Sequence, residues 1–413
     1  MSNRSVASLC YSASFGYNHL TLFYFHGSLL DINIERYGDQ KMSLSWLMNG
    51  FICRDLYAPF IIAKDNDYLG DLKKKYATVL RQAQKAGADE ESLKIIRKFS
   101  KKILEAINCY YVADISKSNT IIKNLLGDIG EDPFAVNTLN NSCAFPGVHG
   151  QEIQFFRSRT GNPSKAFTAK EMSILPLSLR SKSGNYRFSI PGNPSLYLAN
   201  SSYGCWIETG FPSEIDFNVS PVVLDGTQKV FNLAVTIRDF HLLNEFEDSR
   251  VHCWLKLYML SIATSYRIKE ENRTFKSEYI ISQAIMMACK KLGYDGVAYY
   301  SKRVDNELFA LCAINLALFA DYGKKDSSLE KHMKIDNAFN FFLYTQLANS
   351  QKYRDYDLRS VSTGFVTNIG GYDRQYPYRE ISFFEFDKFL FSTWANKPNG
   401  KAKDQIAWGT FAE

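Results

Sequence analysis

The 413-residue chain is expected to fold as an α+β protein, and three observations lead there. Short apolar runs of strand character recur at residues 154–159, 196–199, 230–237, 297–300 and 315–319. Two other stretches, 69–107 and 278–291, space their apolar residues by three and four, as helices do. The strands and helices do not alternate regularly and long loops separate them, which argues against a doubly wound parallel sheet. A composition of 46% hydrophobic and 22% charged residues is that of a globular protein and rules out wholesale disorder.

Taken in order, the first 60 or so residues mix apolar and aromatic runs, such as 20–25, with turn residues, and read as short strands and a helix. Leu69, Leu72, Tyr76, Val79 and Leu80 then mark one helix, and Ile96, Phe99, Ile103 and Ile107 a second. Between them, Gly87 suits a helix end, and Asp89 or Ser92 could cap the next start. Residues 128–150, rich in Asn, Gly, Pro and Asp, read as linker or irregular surface. After the strand at 154–159, Pro191, Gly192 and Pro194 make a turn before the strand 196–199. A helix capped by Ser201 or Ser202 follows, with Glu208 in its second turn. The helix 278–291 ends at Gly293, and Asp295-Gly296 turns into the strand 297–300. Three regions are expected: 1–150, mostly helical with a basic hairpin and linker; 151–321, a domain of short mixed strands and helices; and 322–413, an aromatic-rich extension of no evident role.

Several function classes find no support. The longest apolar run, 308–320, is too short to cross a bilayer and contains Asn315. No secretory signal is visible behind Arg4, and eight scattered cysteines without a CxxC pair suit reduced, buried thiols, so a cytoplasmic protein is expected. No phosphate-binding glycine loop, HExxH or GxSxG is present, and no metal site is expected. Cys143 with His149 and His252 with Cys253 are weak candidates for nucleophile and base. The hairpin carries Lys73, Lys74, Lys75, Lys94, Arg97, Lys98, Lys101 and Lys102, which invites a nucleic-acid reading. Interleaved acidic residues and the lack of an aromatic ladder favour a solvated helix face instead.

The most informative stretch is 184–208, GNYRFSIPGNPSLYLANSSYGCWIE. Each of its polar residues alone has an ordinary explanation: Arg187 as a surface cation, Tyr197 as core, Glu208 as a solvated helix residue. Together they resemble the core motif of the RES domain family, with Tyr197 ten residues and Glu208 twenty-one residues after Arg187. Phe155-Phe156-Arg157-Ser158-Arg159 resembles the family's opening strand. Residues 283–303 resemble its helix, Gly-Tyr-Asp-Gly turn, strand and serine loop, with Ser301 as the serine. Residues 315–319 resemble its closing strand. The resemblance covers about 150–320, with Tyr186 in place of the usual Gly and Ser189-Ile190 in place of Asn-Pro.

The resemblance implies an ADP-ribosyltransferase-like fold and a bacterial toxin or defence effector that breaks the nicotinamide–ribose bond of NAD. Hydrolysis or phosphorolysis is the first expectation and ADP-ribosylation of a protein the alternative. NAD is then a substrate rather than a resident cofactor, and an antitoxin with a helix-turn-helix domain is the implied partner. Glu208 is expected to stabilise positive charge developing on the ribose, an effect often worth about 3–4 kcal/mol per group. Arg187 is expected on the pyrophosphate, with Arg157 and Arg159 as further contacts. Tyr197 would stack on nicotinamide or hydrogen-bond through its hydroxyl, Ser301 would donate a hydrogen bond, and Phe188 and Tyr300 would line the cleft.

Overall fold

A computed structural model describes residues 12–13, 20–21, 54–62, 67–145, 153–161, 167–236, 248–269, 273–305, 311–320, 328–347, 365–366 and 376–395. The chain divides into two compact units, Met1–Met42 and Ser43–Glu413. In the first, β1 (Ser12–Ala13) pairs antiparallel with β2 (Leu20–Thr21). The rest of the expected strand-and-helix segment before residue 54 lies outside the described residues, as does His149.

The second unit begins with β3 (Phe60–Ile61), α1 (Tyr68–Lys85), α2 (Glu90–Tyr111) and α3 (Ile115–Ile129). There follow β4 (Val136–Thr138), β5 (Ile153–Thr160), α4 (Ala169–Met172), β6 (Ser195–Ala199), α5 (Ser202–Glu208), β7 (Phe217–Leu224) and β8 (Lys229–Asn232). Next come α6 (Asp248–Thr264), β9 (Tyr266–Arg267), α7 (Ile280–Lys291), β10 (Gly296–Tyr300) and β11 (Ile314–Phe319). The last elements are α8 (Ser328–Lys331), β12 (Met333–Ile335), β13 (Phe339–Asn340), α9 (Phe341–Leu347), β14 (Phe365–Val366), β15 (Tyr376–Pro377) and α10 (Ser382–Ala395).

The architecture is α+β. Nine strands form one sheet in the order β12-β7-β5-β6-β11-β10-β8-β4, with β13 also on β7. Every pairing in it is antiparallel except β10 with β8. Two helical groups cover one face. Helices α1, α2, α3, α6 and α7 pack over Phe231, Val297, Tyr299 and Ala317, while α5, α9 and α10 pack over Phe156, Ala199 and Val219. The opposite face buries Phe155, Leu196, Leu198, Ala298, Tyr300 and Leu316.

The helical hairpin forms where the spacing places it. Leu72, Tyr76, Val79 and Ala83 line the buried side of α1, and the Asp89 carboxylate accepts the Ser92 N–H at 2.8 Å to cap α2. The hydroxyls of Tyr68 and Tyr76 donate to the carbonyls of Ala263 and Met259, which fixes α1 along α6. Four of the five basic residues on α2 sit in ion pairs, Lys94 with Glu91, Arg97 with Glu90, Lys98 with Asp128 and Lys102 with Glu105, while Lys101 is exposed. Lys75 donates to the Asp55 carbonyl and lies over the Phe60 ring. This is a mixed-charge surface, not an open cationic stripe.

Four elements differ from the sequence reading. Part of the expected linker is β4, which adds an edge strand to β8. Strand β7 was hidden by Pro221, because proline inside a run argues against a strand; yet it pairs with β5 along eight positions. Helix α6 is buried on nearly every side, from Val251 through Trp254, Leu257 and Leu260, so it lacks the polar face that makes a helix legible. The strand expected at 230–237 ends at Asn232. Among the described residues, no helix is long and apolar enough to cross a membrane. Cys109, Cys205, Cys253, Cys289 and Cys312 are buried and Cys143 is exposed.

The C-terminal region is part of this core. Strands β12 and β13 extend the sheet beyond β7, and α10 buries Phe383, Phe386, Phe389, Leu390 and Phe391. Asp387 of α10 is almost fully buried, accepting the Ser202 N–H at 3.1 Å and the Tyr378 hydroxyl. Burial pushes its carboxyl up to about 8 from 3.8. The folded chain thus holds a proton that the unfolded chain releases above about pH 4. Its stabilising contribution is complete below that pH and is lost as pH rises to about 8, with a slope of up to about 1.4 kcal/mol per pH unit. Urea titrations of wild type and Asp387→Asn should therefore diverge between pH 4 and 8, with wild type losing stability relative to the variant. Parallel curves would contradict the shift.

Candidate active site

The site is assembled by a turn and by sheet register. Gly192, at φ +80°, lets the chain reverse, and Asn193 N–H closes the turn on the Ile190 carbonyl at 2.9 Å. The return strand then knits to the outgoing loop. Ser195 donates through its N–H to Ser189 Oγ at 2.8 Å and through its hydroxyl to the Phe188 carbonyl at 2.5 Å. The Tyr197 hydroxyl accepts the Phe188 N–H at 3.1 Å and shares a hydrogen bond with Ser189 Oγ at 2.8 Å. The ten-residue spacing of Arg187 and Tyr197 is therefore the length of a loop closed by the tyrosine hydroxyl. Burial raises that hydroxyl above its usual range and keeps it neutral.

Register does the rest. Ala199, Asn315 and Tyr299 are direct cross-strand partners on β6, β11 and β10, and Phe156 of β5 faces Ala199. One row along, Tyr197, Ala317, Val297 and Phe231 are aligned. Cross-strand partners share a face, so Tyr197, Asn315 and Tyr299 look to the same side. These rows lie where the two helical groups meet: Ala199 packs with the α5 group and Tyr197 with the α7 group.

Helix α5 brings the carboxylate. Ser201 caps it by accepting the Gly204 N–H at 2.9 Å, and Glu208 is its last residue, partly exposed. Asn315 Nδ2 donates to Glu208 Oε1 at 2.6 Å. Among the described residues the second carboxylate oxygen has no hydrogen-bond partner. Gly210, at φ +86°, ends the helix, and Arg303 Nη1 lies 3.5 Å from where a β-carbon would stand on it.

Tyr279, just before α7, is the electrostatic meeting point. Burial raises its hydroxyl first; Arg187 and Arg303 pull it down and Glu208 adds to the rise. Tyr299 is likewise raised by burial, then by Glu208 and Tyr197, against Arg187. Glu208, Arg187 and Arg303 thus surround a patch of tyrosines. Gln283 of α7 ties the loop in place through Asn185, the Tyr186 carbonyl and the Ser189 carbonyl, at 2.7, 3.1 and 3.0 Å. Tyr186, 50% exposed, stands edge-on to Tyr197 at 5.9 Å.

The other expected residues take different parts. Arg187 is 8% exposed and donates to the carbonyls of Thr264 and Tyr266, the latter at 2.6 Å, with Tyr279 on its face at 5.1 Å. It clamps the end of α6 and is not an open fork. Phe188 is fully buried against Tyr299, ring centroids 4.7 Å apart, and packs rather than lines a cleft. Tyr300 points to the opposite face of the sheet from Tyr299, because successive strand residues alternate. Ser301 is fully buried; its hydroxyl accepts the Arg303 N–H at 3.2 Å, so the serine shapes the loop and Arg303 is the side chain that loop presents near Glu208.

Strands β5 and β6 share a single register pair, Phe156 with Ala199. Arg157 lies next to this pair and donates to the Tyr197 carbonyl at 3.2 Å. Its burial, helped by Arg159, brings its guanidinium down to about 10. Arg159 is partly exposed, 5.9 Å from the Phe167 ring. Tyr279, Asn315 and Arg303 were not singled out as site residues from sequence. The signal for Asn315 was present, a lone amide in an otherwise apolar strand.

With the geometry described, comparison with known proteins is decisive for one segment. Residues 162–338 match the family model of the RES domain. That segment is RES-like. The match includes Arg187, Tyr197, Glu208, Tyr279, Ser301, Arg303 and Asn315, and begins just after β5 with Arg157 and Arg159. The chain is similar to a protein described as "Putative toxin YopC" from Bacillus subtilis (strain 168), 28% identical over 200 residues. That alignment covers 42% of this chain and 42% of the relative, so the chain spans under half of the relative's length. Among solved structures, the M. tuberculosis MbcT–MbcA toxin–antitoxin complex aligns at 13% identity and a TM-score of 0.25, covering 48% of this chain and 90% of that one.

The roles of Arg187 and Glu208 in this RES-like segment are separable by stability. Arg187→Lys cannot bridge two carbonyls with one ammonium and should cost about 3 kcal/mol. Glu208→Gln keeps an acceptor for Asn315 and should stay within about 1 kcal/mol of wild type. Chemical denaturation of both variants checks the contrast.

Proposed function

We propose that the chain is a RES-type toxin that cleaves the nicotinamide–ribose bond of NAD. The observation that carries this reading is Glu208: one carboxylate oxygen is held by Asn315, the other has no partner among the described residues, and arginines and tyrosines stand around it. In the reaction, NAD and water give nicotinamide, ADP-ribose and a proton; with phosphate, the ribosyl carbon takes a phosphate oxygen instead. As the glycosidic bond breaks, its electrons leave with the nicotinamide ring and positive charge grows on the ribose. A fixed carboxylate stabilises that charge more than it stabilises the ground state. Asn315 keeps the carboxylate aimed, so little reorganisation is needed.

Arg303 and Arg159, both partly exposed, supply donors for the pyrophosphate. Tyr197 and Tyr186 offer ring edges and faces for a flat base. Arg187 contributes at one remove, by holding the loop that carries Tyr186 and by lying against Tyr279. The partner implied by the resemblance, an antitoxin with a helix-turn-helix domain, would act by covering this site.

Purified protein incubated with NAD should release nicotinamide, and Glu208→Gln should lower kcat by about a hundredfold or more while keeping its fold. Adding phosphate separates phosphorolysis from hydrolysis, and labelled protein appearing only with a protein acceptor would redirect the reading to ADP-ribosyl transfer. If wild type and Glu208→Gln are equally inert under all three conditions, the reading is wrong. Asn315→Leu should lower kcat by about tenfold, because the carboxylate loses its guide but not its charge.

A further inference from the structure

We propose that Asp387, on α10 and beyond the RES-matching segment, is a positioning residue that fixes helix α5 and thereby the place of Glu208. The proposal rests on the reading of Glu208 given above, but its geometry stands independently. Helix α5 is two turns long, and Glu208 is its last residue. Its other end is held by three bonds, two from serine hydroxyls and one from the backbone. Ser201 Oγ donates to the Cys312 carbonyl, the Ser202 hydroxyl donates to the Phe383 carbonyl at 3.3 Å, and the Ser202 N–H donates to Asp387 Oδ1 at 3.1 Å. Two of the three reach α10. The second oxygen of Asp387 accepts the Tyr378 hydroxyl, so the carboxyl is itself locked in direction. Tyr203 and Trp206 pack on Phe383 at 5.6 and 5.4 Å, which ties the middle of the helix to α10 as well.

A rigid two-turn helix transmits a shift at Ser202 to Glu208 with little loss. Helix α5 can move relative to β11, and Glu208 relative to Asn315, only if the contacts to α10 give way. A carboxyl buried among Phe386, Phe389 and Tyr378 is costly unless its bonds are made, so its retention there needs a reason beyond packing. Fixing the direction of α5 supplies one.

The test compares Asp387→Ala, Asp387→Asn and Tyr378→Phe in the full chain by hydrogen exchange and by NAD turnover. Asp387→Ala should raise exchange in residues 200–210 by about tenfold while α2 is unchanged. It should lower kcat for nicotinamide release by about tenfold with KM shifted by less than about threefold. Asp387→Asn keeps an acceptor for the Ser202 N–H and should restore both. If Asp387→Ala does not fold, Tyr378→Phe decides: exchange in 200–210 should rise, and no change there overturns the proposal. Equal loss of protection in α2 and α5, or failure of Asn to rescue, also overturns it. If wild type is inert on NAD, the functional reading fails and the exchange measurements alone judge the positioning.

Discussion

A guanidinium taken out of water needs its charge met by fixed dipoles, and Arg187 meets that demand at the end of α6. Its two bonds go to the carbonyls of Thr264 and Tyr266, at the terminus where helix carbonyls lack partners and the helix dipole is negative. Lys302 reaches the same turn, donating to Ser265 Oγ at 2.9 Å, and the Phe60 N–H donates to the Ser265 carbonyl at 2.8 Å. The end of α6 thus gathers the loop of Arg187, the loop after β10 and the edge strand β3. Remove the arginine and the loop from Gly184 to Ser195 loses the anchor against which Tyr197 and Ser195 close it. The motif's cation is thereby a structural constraint first, and its proximity to Tyr279 follows from where α6 ends.

The second constraint is the sheet itself. Glu208 and Asn315 are more than a hundred residues apart, yet Asn315 faces Ala199, only nine residues before Glu208. Strand β6 therefore brings with it, through a tight turn and a two-turn helix, the carboxylate that returns to the neighbouring strand. Tyr299 joins because it is the partner of Asn315 on the other side. No long-range search is needed once three strands are in register; the polar residues arrive in the apolar face as a consequence.

This explains what was legible in the sequence. Local features were: caps narrowed to Asp89 or Ser92 and to Ser201 or Ser202, of which the fold uses Asp89 and Ser201, the turn at Gly192, the short helix with Glu208 in its second turn, and the offsets that resemble the RES motif. What escaped depended on pairing. Tyr300 and Tyr299 are adjacent letters, and only the direction of β10 decides which faces the site. Phe188 stands beside Arg187 in the motif, but the loop turns it into the core. Tyr279 and Arg303 join the site through the packing of α7 and the loop after β10, which no spacing along the chain records. Strand β7 and helix α6 were missed for opposite reasons, one broken by a proline and the other too uniformly apolar to show a period.

The aromatic content, 15% of the chain, acquires two distinct meanings. Around α10 it is packing: Phe341, Phe383, Phe386 and Phe389 form a stacked and edge-on cluster against Phe217 and Tyr344. Around the site it is mostly tyrosine, and that difference is chemical. A phenylalanine beside Glu208 and Arg187 would add only area, whereas Tyr197 uses its hydroxyl to hold a backbone amide and Tyr279 places its ring under a guanidinium. Tyrosines whose hydroxyls are kept neutral by burial can wall a site between opposite charges without adding a charge of their own. Two carboxylates act on Tyr279, and they differ in setting: Glu278 is fully buried and paired with Arg273 at 2.6 Å, whereas Glu208 is partly exposed at the end of its helix and is the one a substrate could reach.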